Sequence, residues 1–205
     1  MKLQSVLAEA SSEIKKVIGI YPGRFQPFGH HHAKAYGWMG QQFGPKNTYV
    51  VTSNVQDAGK SPFSFEEKKK IINSHGITNV RRVKDPYKAT EVVSRFNGDT
   101  TAVVFGFSEK DAGRIRGEKK SYFLPYEKNK NKLSPYSEHA YFIIIPQFHV
   151  KMPPGFGEMS GTTLRKAFGS KKMSPERKMK LFTAVFGHSK KSIYNLIVNK
   201  LGGSK

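Results

Sequence analysis

Two short segments hold the side chains best suited to chemistry. The first, IGIYPGRFQPFGHHHAKAYGWM (Ile18–Met39), places the lone Arg24 shortly before three consecutive histidines, His30, His31 and His32. The second, MSGTTLR (Met159–Arg165), follows about 130 residues later with a serine, a glycine, two threonines and an arginine. Neither segment pairs a nucleophile with a base. Both are rich in donors: guanidinium groups, imidazoles, hydroxyls and glycine-flanked backbone N–H groups. Such groups bind phosphate oxygens and stabilise charge on a phosphoryl group in transit. A metal site from the histidine triplet is poorly served. Neighbours at a helix start point in different directions, no carboxylate lies close in sequence, and the chain has no cysteine.

Elements must bring these segments to a common place. Val17–Tyr21 (VIGIY) reads as a buried strand ended by Pro22-Gly23, and His32–Phe43 has helical spacing with Ala33, Ala35, Tyr36 and Met39 on one side. Further strands are expected at Thr48–Ser53, Val80–Val83, Thr101–Phe107 and Ala140–Ile145. Helices are expected from Ser64 or Phe65, where SFEEKKKIINSHG has a serine cap, early glutamates and a terminal glycine, and over Thr90–Phe96, Ser160–Phe168, Pro175–Phe186 and Ser192–Leu201. The alternation predicts an α/β fold of right-handed βαβ units on a parallel sheet. Segment 114–139, long, charged and without periodicity, reads as an excursion or lid. Open sheets of this kind bind ligands beyond the carboxyl ends of their strands. Pro22–His32 sits at such a turn. Gly23 there permits close backbone approach, Arg24 can fork two oxygens, and a histidine at the helix start can donate to a third. Ser160 and Thr162 beside free N–H groups form a second phosphate cradle, with Arg165 one turn on. On its own that segment would be only a helix cap.

Composition narrows the class. The 205 residues suit one main domain, here 17–170, with an N-terminal arm or short helix over 1–16 and a basic helical extension over 171–205. The apolar content of 37% and fifteen phenylalanines can build a core. There is no apolar run long enough to span a membrane, and MKLQSVLAEASSEIKK lacks a compact apolar region, so the expected location is cytoplasmic. The net charge of +20 is the outlier. Residues 151–205 carry twelve basic against two acidic side chains, which suits polyanionic partners, nucleic acid or phosphorylated small molecules, and equally a merely wet lysine surface.

GRFQPFGHHHA resembles the first signature of the nucleotidylyltransferase superfamily, G-R-F-Q-P-F-H-x-G-H, and MSGTTLR resembles its second, I-S-[SG]-T-x-x-R. KSPFSFEEKKKII is similar to a segment of archaeal-type nicotinamide-nucleotide adenylyltransferases, and FGFSEKDAGR to a strand-end segment of phage-encoded, cytidylyltransferase-like nucleotidyltransferases. The likeness covers roughly residues 17 to 170. It implies a Rossmann-like parallel sheet flanked by helices, with a small helical C-terminal extension. The implied reaction is attack by an acceptor phosphate on the α-phosphate of a nucleoside triphosphate, with Mg²⁺ brought by the triphosphate and no metal held by the protein. The favoured partners are ATP and nicotinamide mononucleotide. CTP with a phosphorylated alcohol or sugar is the alternative, and a nucleic-acid-binding or phage structural protein reusing the fold is another. A phage origin would mean the host cytoplasm, and the C-terminal helices could serve a homo-oligomer.

By this resemblance Arg24, His31, His32 and Arg165 are the catalytic candidates. Gly23, Phe25, Ser160, Gly161, Thr162, Lys110 and Asp111 are the nucleotide-binding ones, and Phe63 and Phe65 are placed near the acceptor. The pattern departs at Gly29, where the family carries a histidine; only His32 matches outright, His31 is the expected substitute and His30 a bystander. Three readings stay open. Lys110 and Asp111 could be a solvated turn, Phe63 and Phe65 a hydrophobic staple, and His149 either a nucleotide-facing residue or part of a connector. Trp38 is expected in the core or partly at the surface.

Overall fold

A computed structural model describes residues 13–57, 59–116 and 122–202. In chain order the elements are β1 (Lys16–Pro22), α1 (His30–Phe43), β2 (Thr48–Thr52), α2 (Phe65–Asn73), β3 (Val80–Arg82), α3 (Thr90–Val93) and β4 (Thr101–Phe107). Then come α4 (Glu109–Arg116), β5 (Phe123–Pro125), α5 (Tyr126–Asn129), β6 (Ala140–Ile144), α6 (Gly161–Gly169), α7 (Pro175–Phe186) and α8 (Lys191–Gly202). The strands form one sheet in the order β3-β2-β1-β4-β6-β5, and every pairing is parallel.

Period-two alternation sends the strand side chains to two buried faces. Ile18, Ile20, Val103 and Phe105 pack with α3 and α4 through Val92 and Ala112. Ala102, Val104 and Ile143 pack with α1 through Ala35, Met39 and Phe43. Helix α1 lies very close to the sheet. A Cβ on Gly19 would stand 2.7 Å from the Phe43 ring, and one on Gly106 would collide with Met39 and Ile145, so glycine at both places sets the depth of the helix. Because β2 lies on one side of β1 and β4 on the other, the chain reverses direction across the sheet between β1 and β4. The crevice outside their carboxyl ends is the topological switch point.

The expected strands and helices recur with small shifts. Helix α1 begins at His30 rather than His32 because the chain is already capped at Gly29, and the regular part of α3 ends at Val93 rather than Phe96. Segment 114–139 departs from its reading as an open excursion. Residues 117–121 lie outside the described part, but Phe123–Pro125 adds an edge strand to β6. Tyr136 Oη donates to the Phe96 carbonyl at 2.9 Å, and Ser134 N donates to Tyr141 Oη at 2.7 Å. The C-terminal helices are similarly integrated. Leu181, Phe182, Val185, Phe186, Ile193 and Ile197 share one buried cluster with Phe28, Phe63, Ile71 and Phe168. Of the arm at 1–16, residues 1–12 lie outside the described residues and Lys16 already belongs to β1. Trp38 is partly buried, packed against the α1–sheet cluster from its edge.

Candidate active site

The β1–α1 loop turns sharply after Gly23, whose N–H donates to the Val51 carbonyl at 3.1 Å. Phe25 adopts φ +48°, a left-handed conformation uncommon for a side chain of its size, and its ring is held by Tyr21, Phe28 and His32 at centroid distances of 5.3, 5.1 and 5.3 Å. This turn leaves Arg24 exposed and buries Gln26. The Gln26 amide then makes two bonds to one distant residue. Nε2 donates to the Phe63 carbonyl at 3.1 Å, and Oε1 accepts from the Phe63 N–H at 3.0 Å.

Helix α1 opens without a side-chain cap from Gly29; instead His32, three residues in, reaches back. Its Nδ1 accepts from the Gly29 N–H at 3.0 Å. The proton of the neutral ring therefore sits on Nε2, making His32 a donor on its other side. Burial, then the neighbouring His31 and His75, holds its pKa well below the usual imidazole range. The His31 ring lies 3.7 Å from that of His32 and its pKa is lowered to about 4 by burial and then by His30. Both rings are neutral at pH 7 and act as dipoles rather than charges. His30 faces elsewhere, stacking on His75 at 6.4 Å.

Gly29 is where the superfamily signature carries histidine. A Cβ there would stand 3.1 Å from the His31 ring and 3.1 Å from the Val185 carbonyl of α7. The missing side chain is thus the space into which His31 and the end of α7 pack.

The second segment meets the first directly. Ser160 caps α6, its Oγ accepting from Thr163 N at 3.0 Å. Arg165, one turn on, donates through Nη1 to the Gln26 carbonyl at 3.0 Å and through Nη2 to Thr162 Oγ1 at 3.2 Å. One residue therefore joins segments 139 positions apart. Between them lies a cleft of about 440 Å³ lined by Arg24, Phe25, Gln26, Pro27, His31, His32, Lys60, Met159, Ser160, Gly161, Thr162, Leu164 and Arg165. Three cations, two neutral imidazoles and a helix N-terminus face it, and among the described residues its lining contains no carboxylate.

The cleft continues into a larger cavity of about 1060 Å³ over the switch point, which shares Arg24, Phe25, His31 and His32 and adds Gly23, Tyr87, Phe107, Lys110, Asp111 and His149. Ser108 and Asp111 cap the start of α4 reciprocally, Ser108 Oγ donating to Asp111 Oδ2 at 2.8 Å and Asp111 N to Ser108 Oγ at 3.2 Å. Tyr87 is about half exposed and its ring stacks on Phe107 at 5.9 Å, forming an aromatic wall.

The structure thus gathers Gly23, Arg24, Phe25, His31, His32, Ser160, Gly161, Thr162 and Arg165 around one continuous space, with Lys110 and Asp111 at its far end. Phe63 and Phe65 require correction. Their side chains line neither cavity; they are 0% and 8% exposed in the core, because the turn bonded to Gln26 directs the first inward and the capping box at Ser64 starts α2 with the second against the sheet. Sequence reading also overlooked Lys60, Gln26 and Tyr87. Lys60 and Tyr87 lie on loops after β2 and β3, at the strand ends where ligands gather, which was the available signal. Nothing in the sequence announced the pairing of Gln26 with Phe63.

No known protein family and no curated protein matches the sequence. Solved structures do match in fold. A bifunctional NMN adenylyltransferase/ADP-ribose pyrophosphatase from Francisella tularensis, complexed with AMP and a Mn ion, aligns at TM-score 0.52 and 16% identity over 92% of this chain; the chain spans 52% of its length. The nicotinic acid mononucleotide adenylyltransferase of Plasmodium falciparum, complexed with NaAD, aligns at TM-score 0.52 and 14% identity over 90% of this chain and 95% of its own. A Vibrio parahaemolyticus protein provisionally identified as a nicotinate-nucleotide adenylyltransferase gives the same score and identity over 90% and 99%. At such identities the likeness establishes a shared Rossmann-like α/β fold.

Proposed function

We propose that this protein is a nucleotidylyltransferase that moves a nucleoside monophosphate from an NTP to a phosphate-bearing acceptor. The observation that carries the reading is the bond from Arg165 to the Gln26 carbonyl, which closes two donor-rich segments around one cleft faced by Arg24, Lys60 and Arg165. In this reading the N–H groups at the start of α6, with Ser160, Thr162, Arg165 and Lys60, hold the β- and γ-phosphates. Arg24 and the Nε2–H of His32 meet the reacting phosphate, with His31 beside them. An acceptor phosphate oxygen attacks the α-phosphorus, a new P–O bond forms as the bond to the β-phosphate oxygen breaks, and pyrophosphate leaves with that electron pair. Nothing on the protein is modified; catalysis is alignment plus charge stabilisation.

Magnesium belongs to the triphosphate in this scheme. Among the described residues there is no group of three or more His, Asp or Glu side chains that could hold a metal ion. An ion bound to the nucleotide would shield its oxygens.

The acceptor reading is nicotinamide mononucleotide, with ATP as donor. The stacked Tyr87 and Phe107 offer a wall for a planar ring, while Ser108 and Asp111 lie beside it, an arrangement that suits a nucleotide better than a phosphorylated alcohol. The neighbours' ligands, AMP and NaAD, accord with this. A panel of four NTPs against nicotinamide mononucleotide, nicotinic acid mononucleotide, phosphorylated alcohols and phosphorylated sugars, with Mg²⁺ and a pyrophosphate readout, tests it. Turnover is expected with ATP and a mononucleotide. Turnover with CTP and a phosphorylated alcohol would redirect the acceptor assignment, and no turnover or NTP binding anywhere would refute the enzyme reading.

A further inference from the structure

Gln26 is a buried polar side chain that faces the protein and not the ligand space with its amide. Both ends of the amide are taken up by Phe63, in the manner of one rung of a β-ladder. Phe63 is three residues from Lys60 on a stiff connection. Asp57 and Ser61 pair as a bridge with N···O distances of 3.0 and 3.1 Å, the Asp57 carboxylate accepts from the Lys60 N–H at 2.5 Å, and Pro62 fixes one backbone angle. On its other side this segment is pinned by Asn54, whose Oδ1 accepts from Phe65 N at 2.7 Å. The main chain of Gln26 meanwhile receives Arg165 at 3.0 Å. A single residue therefore holds the Lys60 turn through its side chain and Arg165 through its carbonyl, and Lys60 and Arg165 both line the cleft.

We infer that Gln26 is a positioning residue that fixes the Lys60 turn relative to Arg165, so that the two cations grip one polyphosphate. The inference rests on the phosphate-binding reading above and adds a division of labour within it: Lys60 touches the ligand, and Gln26 acts only through Lys60. Methionine at position 26 keeps the length of the side chain but makes neither bond, so the Lys60 turn loses its tie to the β1–α1 loop while the Arg165 bond to the main chain is kept.

The test is a double-mutant cycle read by calorimetric titration of inorganic tripolyphosphate into the full chain, with thermal unfolding recorded for each variant. Lys60→Ala and Gln26→Met are each expected to weaken binding on the order of tenfold, because a displaced cation is nearly as ineffective as a missing one. In the Lys60→Ala background, Gln26→Met is expected to cost less than about twofold, since the group it positions is gone. A purely structural role would lower affinity equally in both backgrounds, and such additivity overturns the inference. So does unchanged affinity in Gln26→Met alone. If Gln26→Met does not fold, Gln26→Ala, which leaves space for water to satisfy Phe63 without tying it to position 26, is put through the same cycle with the same two outcomes. Failure of the wild-type protein to bind tripolyphosphate would overturn the phosphate reading itself, and so is told apart from failure of the Gln26 inference.

Discussion

At the scale of residues, the histidine triplet resolves into three different jobs. His32 is fixed in one tautomer by the Gly29 N–H, His31 fills the space that Gly29 leaves, and His30 packs against His75. His32→Ala and Arg24→Ala are each expected to lower turnover by about 10²-fold or more, measured as pyrophosphate release, because each removes a donor from the developing charge. Gly29→His, which would bring the segment closer to the signature it resembles, is expected to harm the protein. A side chain there must displace the His31 ring and press on the Val185 carbonyl, so a loss of about 1–3 kcal/mol should appear in chemical denaturation, with no gain in rate. A variant as stable as the parent and faster would show that His31 is no substitute. These roles were only half legible in the sequence. Residue types at 24, 32 and 165 named the chemistry, but the direction in which each ring points depends on α7, an element far away in sequence.

At the scale of elements, the caps were readable and the tertiary clips were not. SFEE announced the serine cap of α2, which the structure completes as a capping box with Glu67, and SGTT the Ser160 cap, because both signals are local. Ser160→Ala is expected to cost about 1 kcal/mol in stability and to weaken NTP binding, the former by denaturant titration and the latter by calorimetry. The edge strand β5 was not legible: three residues in a charged segment have no periodicity, and only their pairing with β6 makes them a strand. Phe63 and Phe65 misled for a related reason, since an aromatic at a strand-to-helix turn can face ligand or core, and the Gln26 bond decides between them. Lys68 is a further case. It lies buried in α2, with Nζ donating to Thr52 Oγ1 at 2.9 Å and to the Ser53 carbonyl, and burial lowers its pKa to about 8. The unfolded chain therefore binds the extra proton between pH 8 and the ordinary lysine value, so this residue makes stability rise with pH above 8. Lys68→Met should flatten that rise between about pH 8 and 9.5 in denaturant titrations; an unchanged slope would place the proton elsewhere.

At the scale of the whole molecule, the sheet order and the sites on its carboxyl edge follow from the βαβ pattern, whereas the way the C-terminal helices close the back of the site does not. Five of the seven histidines meet where the start of α1, the end of α2 and the end of α7 converge, with His75 lying 5.1 Å from His188 and 6.3 Å from Phe186. Burial first, and then the neighbouring histidines and Lys190, lowers the pKa of His75 to about 4. For His31 and His75 the folded pKa lies below the unfolded one, so the unfolded chain takes up protons first as pH falls below 6.5. Their contribution is full above that point and is lost progressively toward pH 4. Two full shifts would amount to about 7 kcal/mol, but both rings are only partly buried and water screens them, so stability should fall by a smaller amount, on the order of 2–4 kcal/mol, over this interval, and His75→Phe should blunt the fall in thermal melts across pH. An acid limb identical in the two proteins would contradict the assignment.

The claim on which the rest depends is that GRFQPF and SGTTLR form the two sides of one triphosphate grip. Calorimetric titration of ATP and of AMP into the wild-type protein and Arg165→Ala, at fixed Mg²⁺ and ionic strength, tests it most directly. The account predicts that the wild type binds ATP at least about tenfold more tightly than AMP, and that Arg165→Ala loses most of that preference while keeping its affinity for AMP. An ATP-to-AMP preference that is absent in the wild type, or untouched by the substitution, would contradict it.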